Sequence, residues 1–214
     1  TIAPDSSIRN EQLVDDLICD CCQTDIAVAA SGAVAVYRDR SVAEIRDISV
    51  TRRIDGRWQP GTPIAADHWE IPGCPVNGPS IVADGEFVAV AWFTAAGGRP
   101  VVKLAMSFDS GATFNAPIEV AADNVQGRVG LVDLGDGDIA VSWLQSGASG
   151  THPVFARRYS ANGKPGPTRL VATDAAAFSF PQIAVSGDDL VFVWTETTGS
   201  PGRLRGARVK SAAL

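Results

Sequence analysis

Four stretches of the chain share one pattern: a short apolar strand, a glycine turn, and a second apolar strand ending in an aromatic residue. They run 24–37, 79–92, 129–143 and 181–194. Their aromatics, Tyr37, Trp92, Trp143 and Trp194, lie 55, 51 and 51 residues apart. A repeat of this length with several short strands per unit leaves few architectures open. One such unit cannot cover both faces of its own sheet and has to stack on its neighbours. Helical spacing of apolar residues is almost absent, so each apolar run reads as a strand.

The second half of each unit repeats as well. After the aromatic come a polar loop, a third strand and a tight turn, at Asp55-Gly56, Ser110-Gly111 and Asn162-Gly163. These glycines fall 19, 19 and 20 residues past their aromatics, and such dipeptides suit two-residue hairpins. A fourth strand follows and ends at an aspartate, over 63–67, 118–123 and 170–174. The pattern predicts an all-β chain: a β-propeller of four-stranded antiparallel blades, about four of them, as one domain. The blades are expected over 24–67, 79–123 and 128–174. A divided fourth blade joins 178–214 to 1–16, because Gln12 to Asp16 fits the fourth-strand slot one period before Asp67. Two arrangements satisfy this frame. In one, the N-terminal strand closes onto the C-terminal three, giving a four-bladed ring that hides both edges. In the other, the chain is the C-terminal part of a larger propeller, and missing N-terminal blades or another subunit cover those edges. A chain opening at Thr1 inside a degenerate hairpin favours the second, with an upstream segment removed.

The chain carries 24 acidic and 18 basic residues, for a net charge of −6. No lysine or arginine run is long enough to follow a phosphate backbone, which argues against nucleic acid as a partner. The apolar runs are strand-sized, and none has the length of a membrane span. No motif calls for a cofactor.

Ser107-Phe108-Asp109-Ser110-Gly111-Ala112-Thr113-Phe114 matches the Asp-box, Ser-x-Asp-x-Gly-x-Thr-Phe. Its physics is local. Short Ser and Asp side chains bond turn backbone, glycine supplies φ > 0, and Phe114 anchors the hairpin between blades. Ser107, Asp109, Gly111 and Phe114 are therefore read as structural, and residues 54–58 as an eroded copy. With this box at the proper point of the repeat, the chain resembles the sialidase superfamily, the BNR/Asp-box repeat propellers, over nearly its whole length. It resembles in particular exported bacterial sialidase-like proteins that pair a Cys-x-Cys-Cys stretch with a Gly-Cys-Pro stretch one blade later. Here these are Cys19-Asp20-Cys21-Cys22 and Gly73-Cys74-Pro75. The resemblance implies a six-bladed whole and a periplasmic or secreted location. For true sialidases it implies three arginines on a substrate carboxylate, a Tyr/Glu nucleophile pair and an acidic general acid/base. None of that set can be placed residue by residue. The tyrosines are Tyr37 and Tyr159, and Tyr159 belongs to the hairpin face. Catalytic residues stay unassigned.

Strands of a blade run alternately up and down. Loops from strand four to the next strand one, and from strand two to strand three, then share a face opposite the Asp-box hairpins. That face gathers both cysteine loops, Arg38, Asp39, Arg40, His68, Trp69, Glu70 and His152. The four cysteines admit three readings. They form disulfides of an exported protein, with Cys74 bonded to Cys19, Cys21 or Cys22. They hold a soft cation such as Cu(I) or Zn²⁺, with His68 as a further ligand. Or they are free thiols. The charged run 37–47 is either a solvated ion-pair network or an anion or sugar site. In the second reading Arg38, Arg40 and Arg46 meet a carboxylate, Asp39 lies alongside, and Trp69 stacks on a sugar ring. The recurring Trp92, Trp143 and Trp194 read as core, the recurring Asp16, Asp67, Asp123 and Asp174 as structural, and His152 as exposed and idle. The residues favour a glycan- or protein-binding scaffold module working through the loop face. The alternatives are part of an exo-sialidase-like glycoside hydrolase, and a metal-binding protein built on the cysteines.

Overall fold

The structure is a computed structural model that describes residues 11–147, 150–196 and 201–214. Among these, the strands form four antiparallel sheets. The first sheet holds β1 (Asp25–Ala29), β2 (Gly32–Arg38) and β3 (Ile48–Ile54). Two short strands, β4 (Arg57–Trp58) and β5 (Thr62–Pro63), both pair with β3. The second sheet is β6 (Ser80–Asp84), β7 (Phe87–Thr94), β8 (Val101–Ser107) and β9 (Ile118–Ala122). The third is β10 (Val125–Gly135), β11 (Asp138–Gln145), β12 (Val154–Tyr159) and β13 (Arg169–Ala172). The fourth is β14 (Gln182–Ser186), β15 (Asp189–Glu196) and β16 (Arg203–Lys210). Each is an up-and-down meander in chain order. The outer strand of the first blade is broken in two around Pro60, which has no N–H to give to a ladder. The inner strands β1, β6, β10 and β14 pack in succession, so the sheets radiate from a common axis as blades of a propeller.

The alternation along each second strand builds the interfaces between blades. In β7 every residue is buried. Val88, Val90 and Trp92 pack with Val34, Val36, Ile48 and Val50 of the first blade. Phe87, Ala89, Ala91 and Phe93 point the other way, into a cluster with Val129, Leu131, Ile139, Val141 and Trp143. In β11 the opposite register, Ala140 and Leu144, meets Leu190, Phe192 and Trp194 of the fourth blade. The period of two thus sends successive side chains to different neighbours, and a middle strand has to be apolar throughout. Among the described residues, no further sheet packs on the outward faces of the two end blades. Ile26 and Val28 of β1 are 58% and 75% exposed, and Leu204 of β16 is 78% exposed.

One assignment is corrected. Gln12 to Asp16 forms no strand and does not pair with β16. The Gln12 side chain bonds the backbone of Trp58, and Tyr37 Oη donates to Asp15 at 2.6 Å. This segment lies across the outer face of the first blade, where it covers the polar end of Tyr37. Residues 1–10 of the expected divided blade lie outside the described residues.

The Asp-box turn is held by its own side chains. The Asp109 carboxylate accepts from the Thr113 N–H at 2.8 Å, the Thr113 hydroxyl at 2.6 Å and the Ser107 hydroxyl at 2.7 Å. These bonds hold the Asp109 carboxyl down at about 2. Gly111 sits at φ 78°, and an added Cβ would crowd Val34 of the preceding blade at 3.2 Å. Ser110 accepts from the Ser31 N–H, so the turn also ties its blade to the one before.

Candidate functional site

The loops between the first two blades converge as the strand directions require. The Cys19 N–H donates to Arg38 O, the Asp39 N–H to Asp47 O and the Arg46 N–H to Trp69 O. The Asp47 carboxylate accepts the N–H groups of His68 and Trp69 at 2.9 and 3.0 Å, which pins the second loop onto the first.

Arg38 does not face solvent. It is 1% exposed, and its guanidinium donates to Asn77 O at 2.8 Å, Arg46 O at 2.6 Å and Phe93 O at 2.6 Å. It also lies 4.8 Å from the centre of the Trp69 ring. Trp69 is itself buried, edge-on to Phe93. Both side chains, expected on the loop face, are turned into the junction between the loops: a guanidinium reaching three carbonyls gains more by closing the loops than by facing water. Arg46 is buried as well; it bonds Glu44 at 2.7 Å and Cys19 Sγ at 3.2 Å. Arg40 is the half-exposed member of the set, paired with Glu44 at 2.5 Å. Asp39 is committed to the Arg40 N–H and the Ser49 hydroxyl. His68 is exposed.

Cys21 and Cys74 form a disulfide that joins the two loops across 53 residues. Cys19, buried, and Cys22, half-buried, are free thiols. Among the described residues, two groups of side chains lie close enough to share an ion: Cys19, Cys21 and Cys22, and Asp20, Cys21 and Cys74. His68 belongs to neither, so it does not complete a cysteine site. Beside the disulfide a depression of about 310 Å³ is lined by Asp20, Arg40, Glu44, Arg46 and Cys74, among others.

A second concavity lies on the axis. A cleft of about 580 Å³ is walled by all four inner strands and the loops leading into them. Its polar lining includes Gln23, Asp25, Ser80 and Gln182, and its apolar lining includes Leu131 and Phe180. Next to lining residue Val129, the Arg128 guanidinium stacks over the Phe180 ring at 4.3 Å. Its Nε and Nη1 are buried without a hydrogen-bond partner. The Arg128 backbone is fixed by Asn77, whose Oδ1 accepts the Arg128 N–H at 2.8 Å and whose Nδ2 donates to Gln126 O at 3.0 Å. Gly127 (φ 78°) permits this approach, since a Cβ there would lie 2.4 Å from Asn77 Oδ1. Sequence reasoning missed Asn77, Arg128 and Phe180. The available signal was the Gly127-Arg128 pair, which breaks the alternation at the start of β10 and appears as register shifts between 125 and 130. His152, expected to be idle, bonds Gln126 through Nδ1 at 2.9 Å.

Neither tyrosine forms a nucleophile pair with a glutamate. Burial, then the bond to Asp15, pushes the Tyr37 phenol well above its usual range, and Tyr159 is fully buried beside Arg157.

This is a β-propeller, and its fold is shared with solved structures named as glycoside hydrolases. The phage phi92 endosialidase matches with a TM-score of 0.59 at 10% identity, over 88% of this chain and 35% of that one. A protein of unknown function from Dyadobacter fermentans matches with a TM-score of 0.56 at 17% identity, over 83% and 49%. A GH43_12 protein from a capybara gut metagenome matches with a TM-score of 0.55 at 12% identity, over 90% and 40%. The chain thus spans half or less of the length of each, and at these identities the likeness is one of fold. No family model and no curated protein matches the sequence.

Proposed function

We propose that the chain is a carbohydrate-binding propeller whose axial cleft takes a carboxylate-bearing glycan, within a periplasmic or secreted protein. The observation that carries this reading is Arg128. A buried guanidinium N–H with no acceptor costs about 1–3 kcal/mol, and a carboxylate entering the cleft supplies both acceptor and charge. Phe180 offers an apolar ring for a sugar face, and Gln23, Asp25, Ser80 and Gln182 supply the donors and acceptors that hydroxyl groups need. The Asp-box and the propeller fold support a glycan ligand, and the Cys21–Cys74 disulfide supports an oxidising compartment. The bare apolar faces at Ile26, Val28 and Leu204 support cover by further blades or another subunit. Hydrolysis is the second reading, favoured by the endosialidase likeness alone; no catalytic residue is assigned to it.

Calorimetric titration with sialylated, uronate-bearing and neutral oligosaccharides tests the proposal. Binding is expected for the acidic ones, with a loss of at least about tenfold in Arg128→Gln and Phe180→Ala, roughly one charge-assisted bond or one stacked ring. An acidic glycan that binds both variants as it binds wild type contradicts it.

A further inference from the structure

Four sulfur atoms meet at the loop junction; Cys21 borders the axial cleft, and the binding role makes no use of their chemistry. Cys19 and Cys22 end a Cys-x-x-Cys stretch, and their sulfurs are 3.2 Å apart. Cys19 Sγ also lies 3.6 Å from Cys21 Sγ, which is bonded to Cys74. Cys19 is 2% exposed, whereas Cys74 is exposed and lines the depression with Arg40. A dithiol and a disulfide therefore lie on one continuous sulfur path from the interior to the surface. The surroundings separate the two thiols. Burial opposes ionisation of Cys19, but its hydrogen bonds with Cys22, Arg46 and the Cys21 backbone outweigh that and lower its pKa. Burial, then the bond with Cys19, pushes Cys22 up to about 11. Exchange chemistry uses such a pair: one thiolate ready to attack, and one thiol held back to resolve.

We propose that the four cysteines form a thiol–disulfide relay. Two electrons pass from the buried Cys19/Cys22 dithiol, through the exposed Cys21–Cys74 disulfide, to a disulfide-bearing molecule at the loop face. The Cys19 thiolate attacks Cys21 Sγ; the Cys21–Cys74 bond breaks and Cys74 leaves as a thiolate. Cys22 gives its proton to solvent and attacks Cys19 Sγ; the Cys19–Cys21 bond breaks and Cys21 leaves as a thiolate. One disulfide has replaced another, with no oxidant required. Cys74 then attacks an external R–S–S–R′ and expels R′S⁻, and Cys21 attacks Cys74 Sγ, expels RS⁻ and remakes Cys21–Cys74. The protein has lost two electrons and two protons, and the external disulfide has become two thiols. An external dithiol returns Cys19 and Cys22 to the reduced state.

An aromatic disulfide that releases a coloured thiolate tests the relay on protein purified without reductant. Wild type should release two thiolates per chain and finish with all four cysteines in disulfides. Removing the exposed disulfide, in Cys21→Ser/Cys74→Ser, should slow release from the buried pair at least about tenfold, because the pair is then reached only directly. In Cys22→Ser, acid quenching, alkylation and peptide mapping should find a fraction with a Cys19–Cys21 disulfide and an alkylated Cys74. The mapping decides alone if the double variant does not fold. An unchanged rate in the double variant, Cys22→Ser with only Cys21–Cys74, four free thiols, or a stoichiometric soft cation in the isolated protein would each overturn the relay.

Discussion

Asp109 shows how a sequence motif becomes a physical constraint. Its carboxylate receives three hydrogen bonds within the turn, and its pKa of about 2 records their preference for the charged form. A carboxyl group depressed in the folded state contributes stability above its unfolded pKa, and that contribution is lost as pH falls through the folded value. Asp109→Ala should therefore lower the thermal midpoint at neutral pH, by an amount typical of a lost turn or cap bond, about 1 kcal/mol. The gap to wild type should close as pH falls from about 4 toward 2. A melting series over that range checks it; a gap independent of pH contradicts the assignment. The motif made Ser107, Asp109 and Gly111 legible because all its contacts are local. The recurring aspartates were less uniform than their spacing implied. Asp67 accepts from Trp92 Nε1 at 2.8 Å and from Lys103 at 2.5 Å. Its counterpart Asp123 has a side chain 75% exposed, and Trp143 Nε1 has no partner.

At the scale of the element, the loops between blades are organised around a buried cation. Arg38 ends β2, and its three acceptors belong to the loop before β3, the loop before β6 and β7 itself. Replacing it with methionine keeps the apolar length and leaves three carbonyls without their donor. We expect Arg38→Met to lose at least about 3 kcal/mol of unfolding free energy in urea, since each unsatisfied buried acceptor costs about 1–3 kcal/mol. Arg38→Lys should recover little of it, because one ammonium cannot span the fork. Wild-type stability in Arg38→Met would show that the carbonyls find other donors. The strands and hairpins were readable from period and turn chemistry, which are properties of neighbours in sequence. The inward turn of Arg38 and Trp69 was not. A charged loop residue followed by an aromatic one carries the same local signal whether it faces water or closes a junction. The deciding contact, Arg38 with Phe93, spans 55 residues.

In the molecule as a whole, repetition makes the fold and departures from repetition make the site. Blade-to-blade packing follows from alternation, so the architecture was present in the spacing of Trp92, Trp143 and Trp194. The axial cleft was not, because it forms where four inner strands converge, and the arginine beside it rests on an irregular start to β10 held by Asn77 from another blade. The cysteine loops depart from the repeat most visibly, and they face two ways: Asp20 and Cys74 line the outer depression, while Cys21 and Val76 border the axial cleft. Binding and sulfur chemistry thus occupy adjoining places that meet at Cys21, which borders the axial cleft. Amide hydrogen exchange with and without an acidic oligosaccharide discriminates between them directly. Binding in the axial cleft predicts ligand-dependent protection over 79–81, 128–131 and 180–183, and none over 40–46 or 72–74. Protection confined to the loops around Arg40 and Cys74 would contradict the account and move the binding site to the outer face.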